Sequence, residues 1–189
     1  MIISEKEMSM SQKEKIIYPF PQWKPEDDSF TILRNWWHKL EDNKGERAAL
    51  KRADSLTEVV FCPAYHRLLI TLRDAGYLMQ ESRYSKLAAI AGLVARIKED
   101  IPGALGSQMG ALKPGDKPSV SELRMRRLLA CDDLEELYML LRRSLGILGG
   151  NASIAGVAAV VWHWEPIAEK KQQDSRRQMA YDYYAAASM

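Results

Sequence analysis

From Phe30 onward the apolar residues of this chain return every three or four positions, and that rhythm constrains the fold more than any other feature. Phe30, Leu33, Trp37 and Leu40 make one such stripe. Leu68, Leu69 and Leu72 make another, and Leu87, Ile90, Ala91, Val94 and Ile97 a third. The fourth, Leu134, Leu137, Tyr138, Leu141 and Leu145, is close to an ideal amphipathic face. No run alternates apolar and polar residues between turns, as a half-buried strand would. The pattern predicts an all-α protein.

Breaks in the rhythm divide the chain. Residues 1–28 read as a polar, flexible leader ending in Tyr18-Pro19-Phe20-Pro21-Gln22-Trp23-Lys24-Pro25, where prolines forbid helix and the aromatics can dock onto the folded body. Ser29 is placed to cap the first helix and Gly45 to close it. A short helix follows at about Glu46 to Ala53. Thr57 can cap a further turn, and Pro63 suits the first position of a helix running to Asp74, stopped by Gly76. Another helix is expected over 84–99, with Lys86 and Lys98 away from its apolar face. Residues 102–118 hold four glycines and three prolines and read as a loop. Helices are expected again near 121–130, 133–146, 152–164 and 167–187. The organisation is therefore an N-terminal helical domain at 29–101, a linker at 102–118 and a C-terminal helical domain at 119–189. These form a helical bundle in two packed parts joined by a Gly/Pro-rich loop.

The 189 residues are 47% hydrophobic, enough for a real core. The formal net charge is only +2, so bulk charge does not argue for a nucleic-acid partner, yet residues 44–98 hold ten Lys/Arg against five Asp/Glu. Cys62 and Cys131 form no disulfide framework and fit a reducing cytoplasm. No signal peptide is expected, and the most apolar run, Ile154 to Trp164, is too short to span a bilayer.

Catalytic patterns are missing from the sequence. It lacks a nucleophile elbow, a phosphate-binding P-loop and a zinc-protease helix motif. His38, His66 and His163 are scattered. Cys62 and His66 can share a helix face, but no second pair completes a tetrahedral metal site, and no cofactor is expected. Asp27-Asp28, Asp132-Asp133 and Glu135-Glu136 fall at helix N-termini, where the helix dipole accounts for them.

Basic clusters remain: Arg47/Lys51/Arg52, Arg124/Arg126/Arg127, Arg142/Arg143, Lys170/Lys171 and Arg176/Arg177. Singly, each is explained as a solvated helix face or a helix-end cation. Together they are mostly arginine, whose planar fork suits phosphate oxygens. No base-reading motif accompanies them, so any nucleic acid would be gripped by its backbone.

Four blocks in order also carry a family resemblance. They are Trp37-His38-Lys39-Leu40 leading to Gly45 through Ser55; Pro63-Ala64-Tyr65-His66-Arg67-Leu68; Ser121 to Leu129 leading to Asp133-Leu134-Glu135-Glu136-Leu137 and Leu141-Arg142-Arg143; and Trp162 to Trp164 followed by Arg176-Arg177 and Tyr181-Asp182-Tyr183-Tyr184. From about Phe30 to the C-terminus the chain resembles CasB, the small helical subunit of the type I-E CRISPR surveillance complex, Cascade. The leader lies outside the match.

The resemblance implies a non-enzymatic subunit of an antiviral assembly, a head-to-tail homodimer, and contacts with other Cascade subunits and with the crRNA–target DNA region. The implied role is to stabilise the R-loop. By position, the strand-contacting residues it implies are Arg52, Arg126, Arg127, Arg143, Arg176 and Arg177, followed by Arg47, Lys51 and Arg142. The competing reading is a scaffold whose arginines pair only with carboxylates of partner proteins. A helical-bundle enzyme would need convergent carboxylates and histidines, which the sequence does not show.

Overall fold

The computed structural model describes residues 21–77, 79–165, 167 and 175–188. Ten helices build it: α1 (Asp28–Asp42), α2 (Lys44–Arg52), α3 (Leu56–Val60), α4 (Pro63–Asp74), α5 (Glu81–Val94), α6 (Leu105–Gly110), α7 (Glu122–Leu129), α8 (Leu134–Ile147), α9 (Ile154–Trp162) and α10 (Ser175–Ala187). The fold is all-α. Its strands are two residues long: β1 (Glu99–Asp100) pairs in parallel with β4 (Asn151–Ala152), and β2 (Leu112–Lys113) pairs antiparallel with β3 (Lys117–Pro118).

Local chemistry sets the helix ends, sometimes one turn from where the sequence places them. Asp27, not Ser29, caps α1 by accepting the Ser29 N–H. Ser29 is buried inside the first turn and donates its hydroxyl to Asp27 at 2.6 Å. Asn43 ends α1 and caps α2 through the Glu46 N–H, which leaves Gly45 inside α2. Ser55 rather than Thr57 caps α3. Pro63 opens α4, whose end is followed by Gly76 at φ +94, a conformation that favours glycine. Asp133 caps α8, accepting from Glu136 N at 2.8 Å.

Buried residues from Trp23 to Tyr183 form one cluster. Helix α5 is buried from Leu87 to Val94 and packs on α3, α8 and α9, so it belongs to the cores of both halves of the sequence. In one stretch the aromatic docking that the sequence allows is seen, and a second carries structure the sequence did not show. The last part of the leader is pinned: Trp23 is 1% exposed and meets Trp162 edge-to-face at 5.6 Å, and Gln22 N donates to Asp27. Tyr18 and Phe20 lie outside the described residues. The supposed linker at 102–118 carries α6 and the β2–β3 hairpin. Its glycines serve packing as well as turns, because Gly106 and Gly110 lie directly against the backbone of α10. The expected helix over 167–187 is seen as α10, with 168–174 outside the described residues.

Candidate nucleic-acid interface

Helix α8 is the centre of the basic region. Glu135 and Glu136 in its first turn match the helix dipole, but Arg142 and Arg143 lie before its last turn, which holds no basic residue, so the dipole does not account for them. Arg142 and Arg143 are neighbours in sequence, but a helical step turns them about 100° apart. Arg142 reaches across to Asp54, just past the end of α2. Arg143 faces α7, where it lines a cleft of 110 Å³ with Arg124, Arg127, Leu140 and Ser144. Arg127 pairs with Glu136 at 3.1 Å, and Arg124 donates to the Ser121 hydroxyl at 3.3 Å.

The end of α2 is held against α8 by Arg96, which the sequence did not single out. Its guanidinium donates to the carbonyls of Leu50 (3.1 Å), Ala53 (3.1 Å), Lys51 and Gly92, and to the Tyr138 hydroxyl at 3.2 Å. Tyr138 in turn donates to Ala53 O at 2.9 Å. Burial lowers the Arg96 pKa, with Tyr138 acting against that shift. Lone arginines at the end of an apolar helix are the only hint of such a clamp in a sequence. Its effect is to fix Lys51 and Arg52, which stay exposed and make no side-chain hydrogen bond or ion pair among the described residues. Arg142 thus meets the segment just after α2, while Arg143, Arg127 and Arg124 share the cleft between α8 and α7.

The other candidates lie elsewhere. Arg126 is exposed on the far side of α7 and forks onto Glu122 at 2.6 and 3.1 Å. Arg47 and Arg176 are turned inward. Arg47 Nε donates to Ala95 O at 3.2 Å, its Nη2 to Ile97 O, and its guanidinium lies 5.9 Å from the Trp37 ring. Arg176, with a side chain 7% exposed, donates to the Glu165 and Cys131 carbonyls and to Asp132 at 2.9 Å. It also stacks 4.5 Å from the Trp164 ring. Arg177, the next residue, is exposed. Lys170 and Lys171 lie outside the described residues. Lys86, expected to face away from the core, turns inward and donates to Trp162 O at 3.0 Å and Glu165 at 3.1 Å; Arg83 joins the same carboxylate at 3.2 Å.

Among the described residues no group of three or more His, Cys, Asp or Glu gathers to hold a metal. Cys62 donates its thiol to Glu58 O, and His66 Nε2 lies 2.7 Å from Val60 O. Burial, then Lys86 and Arg83, push the His163 pKa down. No helix among the described residues is long and apolar enough to cross a membrane.

Fold and surface together define an all-helical protein with an arginine cleft between α7 and α8 and an α2 end held by the carbonyl-bound Arg96. A family model, CRISPR-associated protein Cse2, matches residues 46–184. The chain belongs to the Cse2 family, the family to which the CasB resemblance points. In structure it is similar to a chain in the crystal structure of E. coli Cascade bound to a PAM-containing dsDNA target, with a TM-score of 0.61 and 19% identity over 86% of this chain and 98% of that one. No curated protein sequence matches significantly.

Proposed function

We propose that this chain is a non-catalytic subunit of a type I-E CRISPR surveillance complex. Its surface arginines grip nucleic-acid backbone and stabilise the R-loop formed between crRNA and target DNA. The observation that carries this reading is the three-arginine cleft between α7 and α8, adjoining the α2 end through Arg142. Exchanging a DNA duplex for a guide–target heteroduplex is nearly balanced in free energy, so a few protein–phosphate contacts tip it. Arginines with no base-reading partner suit that task, because they bind any sequence equally. The similarity to a chain of a DNA-bound Cascade supports the same assembly, with crRNA, target DNA and neighbouring subunits as partners; a second copy of this chain is what the family resemblance implies. Two free cysteines fit a cytoplasmic setting.

In this reading Arg52, Lys51, Arg142, Arg143 and Arg127 contact strands, joined by Arg124. Arg126 and Arg177 lie at the edge of the surface, while Arg47 and Arg176 hold the fold. The test is a salt titration of single-strand binding by wild type, Arg52→Glu and Arg143→Glu. Each reversal is expected to weaken binding and to flatten the log–log salt slope by about 0.7 for every phosphate the variant no longer holds, with the melting temperature unchanged. Within the assembled complex the same variants are expected to shorten R-loop lifetime. If the wild-type chain binds no strand even at low salt, its arginines serve partner carboxylates and the protein is a scaffold.

A further inference from the structure

Helix α10 carries an exposed face at the edge of the phosphate-gripping surface, with two aromatic rings that the phosphate grip does not use. Arg177, Tyr181 and Tyr184 are spaced four and three apart, so they stand on one side of the helix. Tyr181 is 66% exposed and Tyr184 40%, large values for aromatic rings. Between them Tyr183 points the other way, is 1% exposed, and donates its hydroxyl to Val120 O at 2.7 Å. Tyr183 also meets the Tyr184 ring edge-to-face at 5.2 Å. The exposed rings therefore stand on a helix nailed to the core.

Cations bracket them. Arg177 precedes Tyr181 by one turn, and Arg126 of α7 lies beside Tyr184, whose hydroxyl follows Glu122 among the groups that raise the Arg126 pKa. The nearby carboxylates are occupied: Glu122 by Arg126, and Asp182 by Gln178 at 2.8 Å. Beside Arg177 and Tyr181 a groove of 610 Å³ opens over Gly106, Gly156 and Ala159, with Lys24 and His163 lining it.

We propose that this face of α10 stacks unpaired bases of a single strand, Tyr181 and Tyr184 taking neighbouring bases while Arg126 and Arg177 meet the flanking phosphates. The inference rests on the nucleic-acid reading above and adds to it a preference for single strands over duplex. The two rings are offset by about 4.5 Å along the helix axis, close to the roughly 3.4 Å base step of a strand. Base–aromatic stacking is indifferent to sequence, as a surface without base-edge contacts requires.

The test compares binding of the full-length chain to an oligodeoxynucleotide, an abasic strand of equal length, and a duplex, at one salt concentration. Wild type is expected to prefer the base-bearing strand over the abasic one by about 5- to 150-fold per stacked base. Tyr181→Ala/Tyr184→Ala is expected to abolish that preference and leave the salt slope unchanged, whereas Tyr181→Phe/Tyr184→Phe retains it. Equal wild-type affinity for base-bearing and abasic strands overturns the stacking inference and leaves the phosphate grip standing. A strand preference that survives the double alanine variant also overturns it; should that variant fail instead to join partner subunits, the tyrosines form a protein contact. No binding to any strand at low salt overturns both readings.

Discussion

Replacing Gly110 with alanine is expected to destabilise this protein, although the same change at an unconstrained helical position stabilises. A Cβ on Gly110 would lie 2.3 Å from the Tyr183 carbonyl oxygen and 3.1 Å from the Ala186 Cβ. The first contact is to backbone, so no side-chain rotation relieves it, and α10 must retreat from α6 by about 0.7 Å or more to restore normal separation. Overpacking of this kind costs about 1–3 kcal/mol, against a gain of up to about 1 kcal/mol from the helix propensity of alanine. The net expectation is a loss of about 1–2 kcal/mol. Gly146 in α8 is the matched control: a Cβ there meets nothing within 4 Å, so Gly146→Ala should stabilise by about 0.5–1 kcal/mol. Urea denaturation with an unchanged m-value measures both. The α10 amides of Gly110→Ala should also exchange faster, and strand binding should weaken if Tyr181 and Tyr184 take part. A Gly110→Ala protein as stable as wild type, or more so, would refute the tight α6–α10 seat and the packing role assigned to this glycine.

Arg176→Ala should cost about 1.5–3 kcal/mol, because the Glu165 and Cys131 carbonyls lose charge-assisted hydrogen bonds while the half-exposed Asp132 turns to water, whereas Arg177→Ala should stay within about 0.5 kcal/mol; thermal denaturation separates the two. Arg96→Met should destabilise and also weaken strand binding by releasing the α2 end, while Lys51→Ala affects binding alone; comparing melting temperature with affinity shows the difference. Burial pushes the Asp27 carboxyl up, but hydrogen bonds from Ser29, Gln22 N and Tyr77 outweigh it and hold the pKa below 3.8. Its stabilisation is therefore present above the unfolded-state value and lost as pH falls through the lower folded one, so Asp27→Asn should flatten the loss of stability below about pH 4 in an acid titration. Burial, with Glu136 after it, pushes the Cys131 thiol up to about 11, so it should react with thiol reagents at pH 8 only after unfolding, as a timed thiol titration would show.

The class of fold was legible in the sequence because each long helix carries its own amphipathic stripe. Pro63 and Asp133 start helices where local chemistry says they should, since a cap or a fixed φ acts within one turn. Caps with several candidates nearby, such as Asp27 and Ser29, needed the structure, because each can accept from the same few N–H groups. The glycines of 102–118 look like loop residues in one dimension; that two of them seat α10 depends on a helix seventy residues away. The candidate site shows the same limit. Every basic cluster is visible in the chain, yet Arg176 is buried against Trp164 while Arg177 stands in solvent, and Arg142 turns to Asp54 after α2 while Arg143 turns to α7. Neighbouring residues on a helix diverge by about 100°, and the partner helix decides which direction is inward. Residue order was enough to establish that the chain is helical, where most helices begin, and which residues carry charge. Which of those charges are spent on carbonyls and carboxylates within the protein followed from the packing of the helices, because burial and pairing are made between segments far apart in the chain.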